Sequence, residues 1–162
     1  MIKVVLIDDE ENCLSSLAIL LTQYCPEVQI MEQCQSVQTG LTAINAHKPD
    51  LIFLDIEMPV LNGFDLLEMV KNYPLAVIFT TAYQHYAVKA IRYSALDYLL
   101  KPVDYKELIQ AVHRYVSQKS RPNPEQFQFL IDKLSQKEHT TKKLAIPNME
   151  GVWPPAVPAV AI

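Results

Sequence analysis

Acids, a threonine hydroxyl and a lysine amine stand at the ends of short apolar runs in this chain. Asp8-Asp9-Glu10 follows Val4-Val5-Leu6-Ile7, Asp55 follows Leu51-Ile52-Phe53-Leu54, Thr81 follows Ala76 to Thr80, and Lys101-Pro102 follows Leu96 to Leu100. Brought together, the carboxylates would repel one another, and without a compensating cation some of their pKa values would rise and the site would be destabilised. A divalent cation resolves that conflict. Oxygen-only ligands with room for water suit Mg²⁺, with Asp9 and Asp55 as direct ligands. An aspartate can also act as a nucleophile toward phosphorus and form an acyl phosphate, and Asp55 is the candidate for that role. Lys101 and the cation would neutralise charge on the phosphoryl oxygens, while the Thr81 hydroxyl would donate a hydrogen bond to one of them. Taken singly, each residue has a structural alternative: Asp8 or Asp9 can cap a helix, Asp55 can open a turn, and Lys101 can simply be solvated.

These groups meet only if the runs that precede them are parallel strands, because in an open parallel sheet ligands bind where the carboxyl ends converge. Up to about residue 118 the pattern supports this. Short apolar runs alternate with segments of helical period, the signature of repeated strand-helix units. Five strands are expected, at Lys3 to Ile7, Gln29 to Cys34, Leu51 to Leu54, Ala76 to Thr80 and Leu96 to Leu100. Most are too continuously apolar for a one-sided sheet, so helices must cover both faces. The fold class is α/β, a doubly wound parallel sheet. The first helix carries Leu14, Leu17, Ala18, Leu21 and Tyr24 on one stripe and stops before Pro26. A second begins after Ser36 as N-cap and ends near His47. A third follows Gly63 with Leu67 and Val70 inward, and a fourth spans Gln84 to Tyr93. The fifth opens with the Asp104-x-x-Glu107 form of a capping box and places Leu108, Val112 and Val116 on one side.

After Lys119 the composition changes. Arg121-Pro122-Asn123-Pro124 breaks helix and reads as a linker over residues 119–124. Residues 125–140 carry Phe127, Leu130, Ile131 and Leu134 at helical spacing, and the stretch from Gly151 to Ile162 has no regular period. Half of the 162 residues are apolar and the net charge is −4, a globular composition with no overall positive field for nucleic acid. Cys13, Cys25 and Cys34 lack a CxxC pair and read as reduced structural thiols. His47, His85, His113 and His139 form no spaced metal set. The apolar N-terminal run is too short for a signal peptide or a membrane span, so a cytoplasmic location is expected.

The ordered set Val4 to Glu10, Phe53-Leu54-Asp55-Ile56-Glu57-Met58-Pro59, Asn62-Gly63, Thr80-Thr81-Ala82 and Asp97-Tyr98-Leu99-Leu100-Lys101-Pro102 resembles the receiver domain of two-component response regulators. That resemblance covers about residues 1–118. It implies a flavodoxin-like sheet of order 2-1-3-4-5, with Asp55 as phosphoacceptor for a sensor histidine kinase and Asp8 and Asp9 as the acidic pair. It further implies that Glu57 gives a backbone carbonyl to Mg²⁺, that Thr81 and Lys101 contact the phosphoryl group, and that Thr81 and Tyr98 move together as a switch. A phosphorylation-dependent homodimer is implied, as is a signalling rather than an enzymatic role. Phe79 to Ala90 with Ala95 to Pro102 is similar to receivers joined to LytTR DNA-binding domains, and Lys143 to Gly151 resembles the opening of such a domain. Residues 141–162 are then the remnant of an output domain plus an irregular tail, and DNA would be reached only through the missing part. Two other readings stay open: a receiver-only phosphorelay carrier, and a phosphatase with an aspartyl nucleophile, against which Asp55-Ile56-Glu57 has Glu where the haloacid-dehalogenase pattern has a second Asp.

Overall fold

The computed structural model describes residues 1–118 together with residues 131 and 132. The chain divides into two compact units, Met1–Phe127 and Gln128–Ile162. The expected linker, most of the amphipathic segment at 125–140 and the tail lie outside the described residues.

Five strands alternate with five helices: β1 Ile2–Ile7, α1 Glu11–Tyr24, β2 Val28–Cys34, α2 Val37–His47, β3 Leu51–Leu54, α3 Gly63–Met69, β4 Ala76–Thr81, α4 Ala87–Arg92, β5 Asp97–Leu100 and α5 Tyr105–Gln118. All strand pairs are parallel, and the sheet order is β2-β1-β3-β4-β5, as the sequence resemblance implies. Side chains alternate across a strand, and both sets are buried here. Val4, Leu6, Leu51, Phe53, Ile78 and Leu99 join Leu14, Leu17 and Leu21 of α1 and Leu108, Ala111 and Val112 of α5 in one core. On the opposite face the Phe64 ring of α3 packs on Phe79 of β4 at 5.2 Å, and Gly40 of α2 approaches Ile7. The sheet is therefore covered on both sides, which is why its strands read as unbroken apolar runs.

Local signals explain most boundaries. The Ser36 side chain accepts from the Thr39 N–H and completes a capping box at α2, and Asn62 with Asp65 does the same at α3. Three expectations are corrected. Val116 is 52% exposed rather than inward; eight residues overshoot two helical turns by about 80°, so the buried stripe runs through Leu108, Ala111, Val112 and Tyr115 instead. The third helix ends at Met69 and Val70 is its half-buried C-cap, its N–H donating to the Leu66 and Leu67 carbonyls. The fourth helix begins at Ala87, not Gln84. The Tyr98 hydroxyl donates to the Tyr83 carbonyl, the acceptor that a helix starting at 84 would need for Ala87, whose N–H goes to Gln84 instead.

Candidate functional site

The parallel ladder carries four of the expected residues to one edge of the sheet. The Asp8 N–H donates to the Cys34 carbonyl, the Asp55 N–H to that of Ile7, and the Lys101 N–H to that of Thr81, so each residue extends its strand by one step toward the same rim. Asp8 and Asp55 are 4% and 5% exposed and Thr81 is fully buried, whereas Asp9 is half-buried. Neither Asp8 nor Asp9 is the N-cap of α1; that residue is Glu10, with no side-chain cap, and its N–H donates to Asp8 Oδ1 at 2.9 Å.

Lys101 Nζ lies 2.8 Å from Asp8 Oδ2, 3.3 Å from Asp55 Oδ2 and 3.9 Å from Glu10 Oε1. The ammonium is not merely solvated; it bridges two buried carboxylates. Asp55 Oδ1 accepts from the Ile56 N–H at 2.7 Å. Burial first, then the neighbouring Asp8 charge, pushes the Asp55 carboxyl up to about 6, against the opposing pull of Lys101 and the Ile56 N–H. For Lys101, burial works against the charged form, but the hydrogen bond it donates to Asp8 and the charge of Asp55 outweigh it and hold the amine above its usual value. Asp8, Asp9 and Asp55 each offer a carboxylate oxygen within 4.8 Å of the others. A hard divalent cation fits such an all-oxygen set, and it would relieve the repulsion that raises Asp55.

Thr81 and Tyr98 converge on a third residue, Tyr83. Tyr83 donates its N–H to Thr81 Oγ1 at 3.3 Å and accepts the Tyr98 hydroxyl at its carbonyl. Tyr98 is 1% exposed, and burial pushes its phenol well up. The clue in the sequence was position alone, since Tyr83 falls two residues after Thr81. The Glu57 side chain is exposed on the β3–α3 loop and accepts a hydrogen bond from the Tyr86 hydroxyl, a pairing with no sequence signal. Gly63 was legible from Asn62-Gly63, but its reason is spatial: a Cβ there would stand 2.4 Å from the Asp55 carbonyl oxygen. The three cysteines are free, as expected, and burial pushes each thiol up to about 11, which makes them poor nucleophiles. Among the described residues no helix is long and apolar enough to cross a membrane.

Comparison with known proteins adds an independent line. Residues 4–113 match the family described as the response regulator receiver domain. The chain is 38% identical over 117 residues to the sensory transduction protein LytT of Bacillus subtilis, which covers 71% of this chain and 48% of that protein. It is 36% identical over 122 residues to the transcriptional regulatory protein BtsR of Salmonella typhi, covering 75% and 51%. A crystal structure of a response regulator receiver domain protein from Clostridium thermocellum superposes with a TM-score of 0.65 at 30% identity, over 74% of this chain and 97% of that one. The chain spans about half the length of the curated relatives it matches. With its sheet order, its acidic rim and this match over residues 4–113, the chain belongs to the response regulator receiver domain family.

Proposed function

We propose that this receiver domain is an Mg²⁺-dependent phosphoacceptor in which Asp55 takes a phosphoryl group from a sensor histidine kinase. The observation that carries the reading is the convergence of Lys101 on both Asp8 and Asp55, beside three aspartates within reach of one cation. Asp8, Asp9 and Asp55, with the backbone carbonyl of Glu57, would hold the ion. When bound, it supplies positive charge to the phosphoryl oxygens.

The remaining chemistry belongs to the chain. An Asp55 carboxylate oxygen forms the new O–P bond as the P–N bond of the donor phosphohistidine breaks, and the imidazole keeps the electron pair. Lys101, already drawn to both carboxylates, neutralises charge on the transferring group, and the Thr81 hydroxyl donates to one of its oxygens. Drawing Thr81 toward the phosphoryl group pulls on the Tyr83 N–H, whose carbonyl holds Tyr98, so the phosphoryl state is passed to the start of α4.

Output follows from that surface. We assign it to a LytTR DNA-binding domain in the full-length protein and to a phosphorylation-dependent homodimer, supported by similarity to LytT and to a transcriptional regulatory protein over half their lengths. The same reading puts the chain in the cytoplasm, with the ATP that charges such a kinase, and in signalling rather than metabolic turnover. Intact-mass spectrometry after incubation with Mg²⁺ and acetyl phosphate tests the chemistry. One phosphoryl adduct on wild type, absent from Asp55→Asn and from chelated samples, is expected. A folded wild-type protein that never gains the adduct would refute the phosphoacceptor reading.

A further inference from the structure

The Tyr86–Glu57 hydrogen bond joins the loops that follow the paired strands β3 and β4, and it does so beside the acidic rim. Glu57 lies two residues after Asp55 on the β3–α3 loop, between the buried Ile56 and Met58. Its carboxylate is exposed and accepts from the Tyr86 hydroxyl. Tyr86 is the N-cap residue of α4. Its ring is fixed: the centroid lies 6.0 Å from that of Phe64 and 4.2 Å from that of His85. Phe64 is 2% exposed and in turn packs on Phe79 and Tyr93, with Lys89 Nζ 4.6 Å over its face. The phenol is therefore an anchored donor reaching out of the aromatic cluster, and the glutamate is the adjustable partner.

We propose that Tyr86 is a positioning residue for the divalent cation, acting through Glu57. With its side chain tethered to α4, Glu57 presents its backbone in one orientation and keeps its own carboxylate out of the already crowded set of Asp8, Asp9 and Asp55. A ligating carbonyl held in place before binding has less freedom to lose when the ion arrives. The tether is reciprocal: an ion that fixes the Glu57 backbone also restrains the first turn of α4, a route from metal to output face distinct from the Thr81–Tyr83–Tyr98 path.

This inference rests on the metal reading of the rim. The test is the Mg²⁺ affinity of the full chain by titration calorimetry for wild type, Tyr86→Phe, Glu57→Ala and the double variant, with circular dichroism to verify folding. Tyr86→Phe removes one oxygen and leaves the ring on Phe64. Weakening of Mg²⁺ binding by about threefold to tenfold is expected, below the usual effect of groups outside the ligand shell because this bond is exposed. In the Glu57→Ala background the same change should do nothing. Glu57→Gln, whose amide oxygen still accepts, should keep the dependence on Tyr86 and so separate the tether from the charge. Equal weakening in both backgrounds, or none in either, overturns the proposal while leaving the metal site standing. A wild-type chain that binds no Mg²⁺ takes down the metal reading itself.

Discussion

Asp55 illustrates how one residue is shaped by competing demands. Its carboxyl is buried beside Asp8, which favours the neutral acid, while Lys101 favours the anion. Because its native value near 6 lies above the ordinary 3.8, the native state holds more protons than the unfolded chain between those limits. Stability of the metal-free protein therefore falls as pH rises from about 4 to about 6, and the cost persists above that range. Asp55→Asn removes this cost. The variant should match wild type near pH 4 and exceed it by about 1–2 kcal/mol at pH 7, allowing for solvent screening at the partly open site; urea melts across that range check it. Lys101→Met should act in the opposite sense. It leaves Asp8 and Asp55 facing each other without the ammonium, and a loss of about 2–4 kcal/mol is expected in metal-free buffer. Added Mg²⁺ should recover part of that loss in the same unfolding assay.

At the scale of elements, the β3–α3 loop carries constraints that its composition does not advertise. Gly63 opens α3 directly against the backbone of Asp55 and Ile56, and its N–H donates to the Ile56 carbonyl. A methyl group there must displace backbone rather than a flexible side chain. Gly63→Ala should therefore cost about 2 kcal/mol or more and lower the yield of phosphoryl adduct on Asp55, measured by thermal melting and by mass. Val60, three residues earlier, is 99% exposed and sits at φ 70°, a left-handed conformation that a β-branched residue resists. Val60→Asn loses no packing and relieves the backbone, and should stabilise the domain by about 1 kcal/mol, seen as a rise in Tm of about 3–5 °C.

For the whole molecule, the receiver fold accounts for its own stability. Both faces of the sheet are covered by helices from within residues 1–118, and the compact unit extends to Phe127. A fragment ending at Phe127 should therefore fold alone, with the same denaturation midpoint as the full chain by circular dichroism. A markedly lower midpoint would show that the C-terminal segment contributes to the core. The chain spans about half the length of the curated relatives it matches.

The strands, their parallel pairing and the rim of Asp8, Asp9, Asp55, Thr81 and Lys101 were legible because buried parallel strands must be apolar throughout, so the polar residues ending them stand out. Ser36 likewise announced the helix it caps. What the sequence could not state was everything decided by distance between loops. Tyr83 as the acceptor for Tyr98, the tie between Tyr86 and Glu57, and the late start of α4 arise from hydrogen bonds between residues 15 to 29 positions apart. No period or local propensity records such bonds, since they exist only once packing has brought the loops together. Val116 makes the complementary point: its spacing fits a helix stripe, but an angular drift of about 80° over eight residues, set against a particular sheet, turned it to solvent.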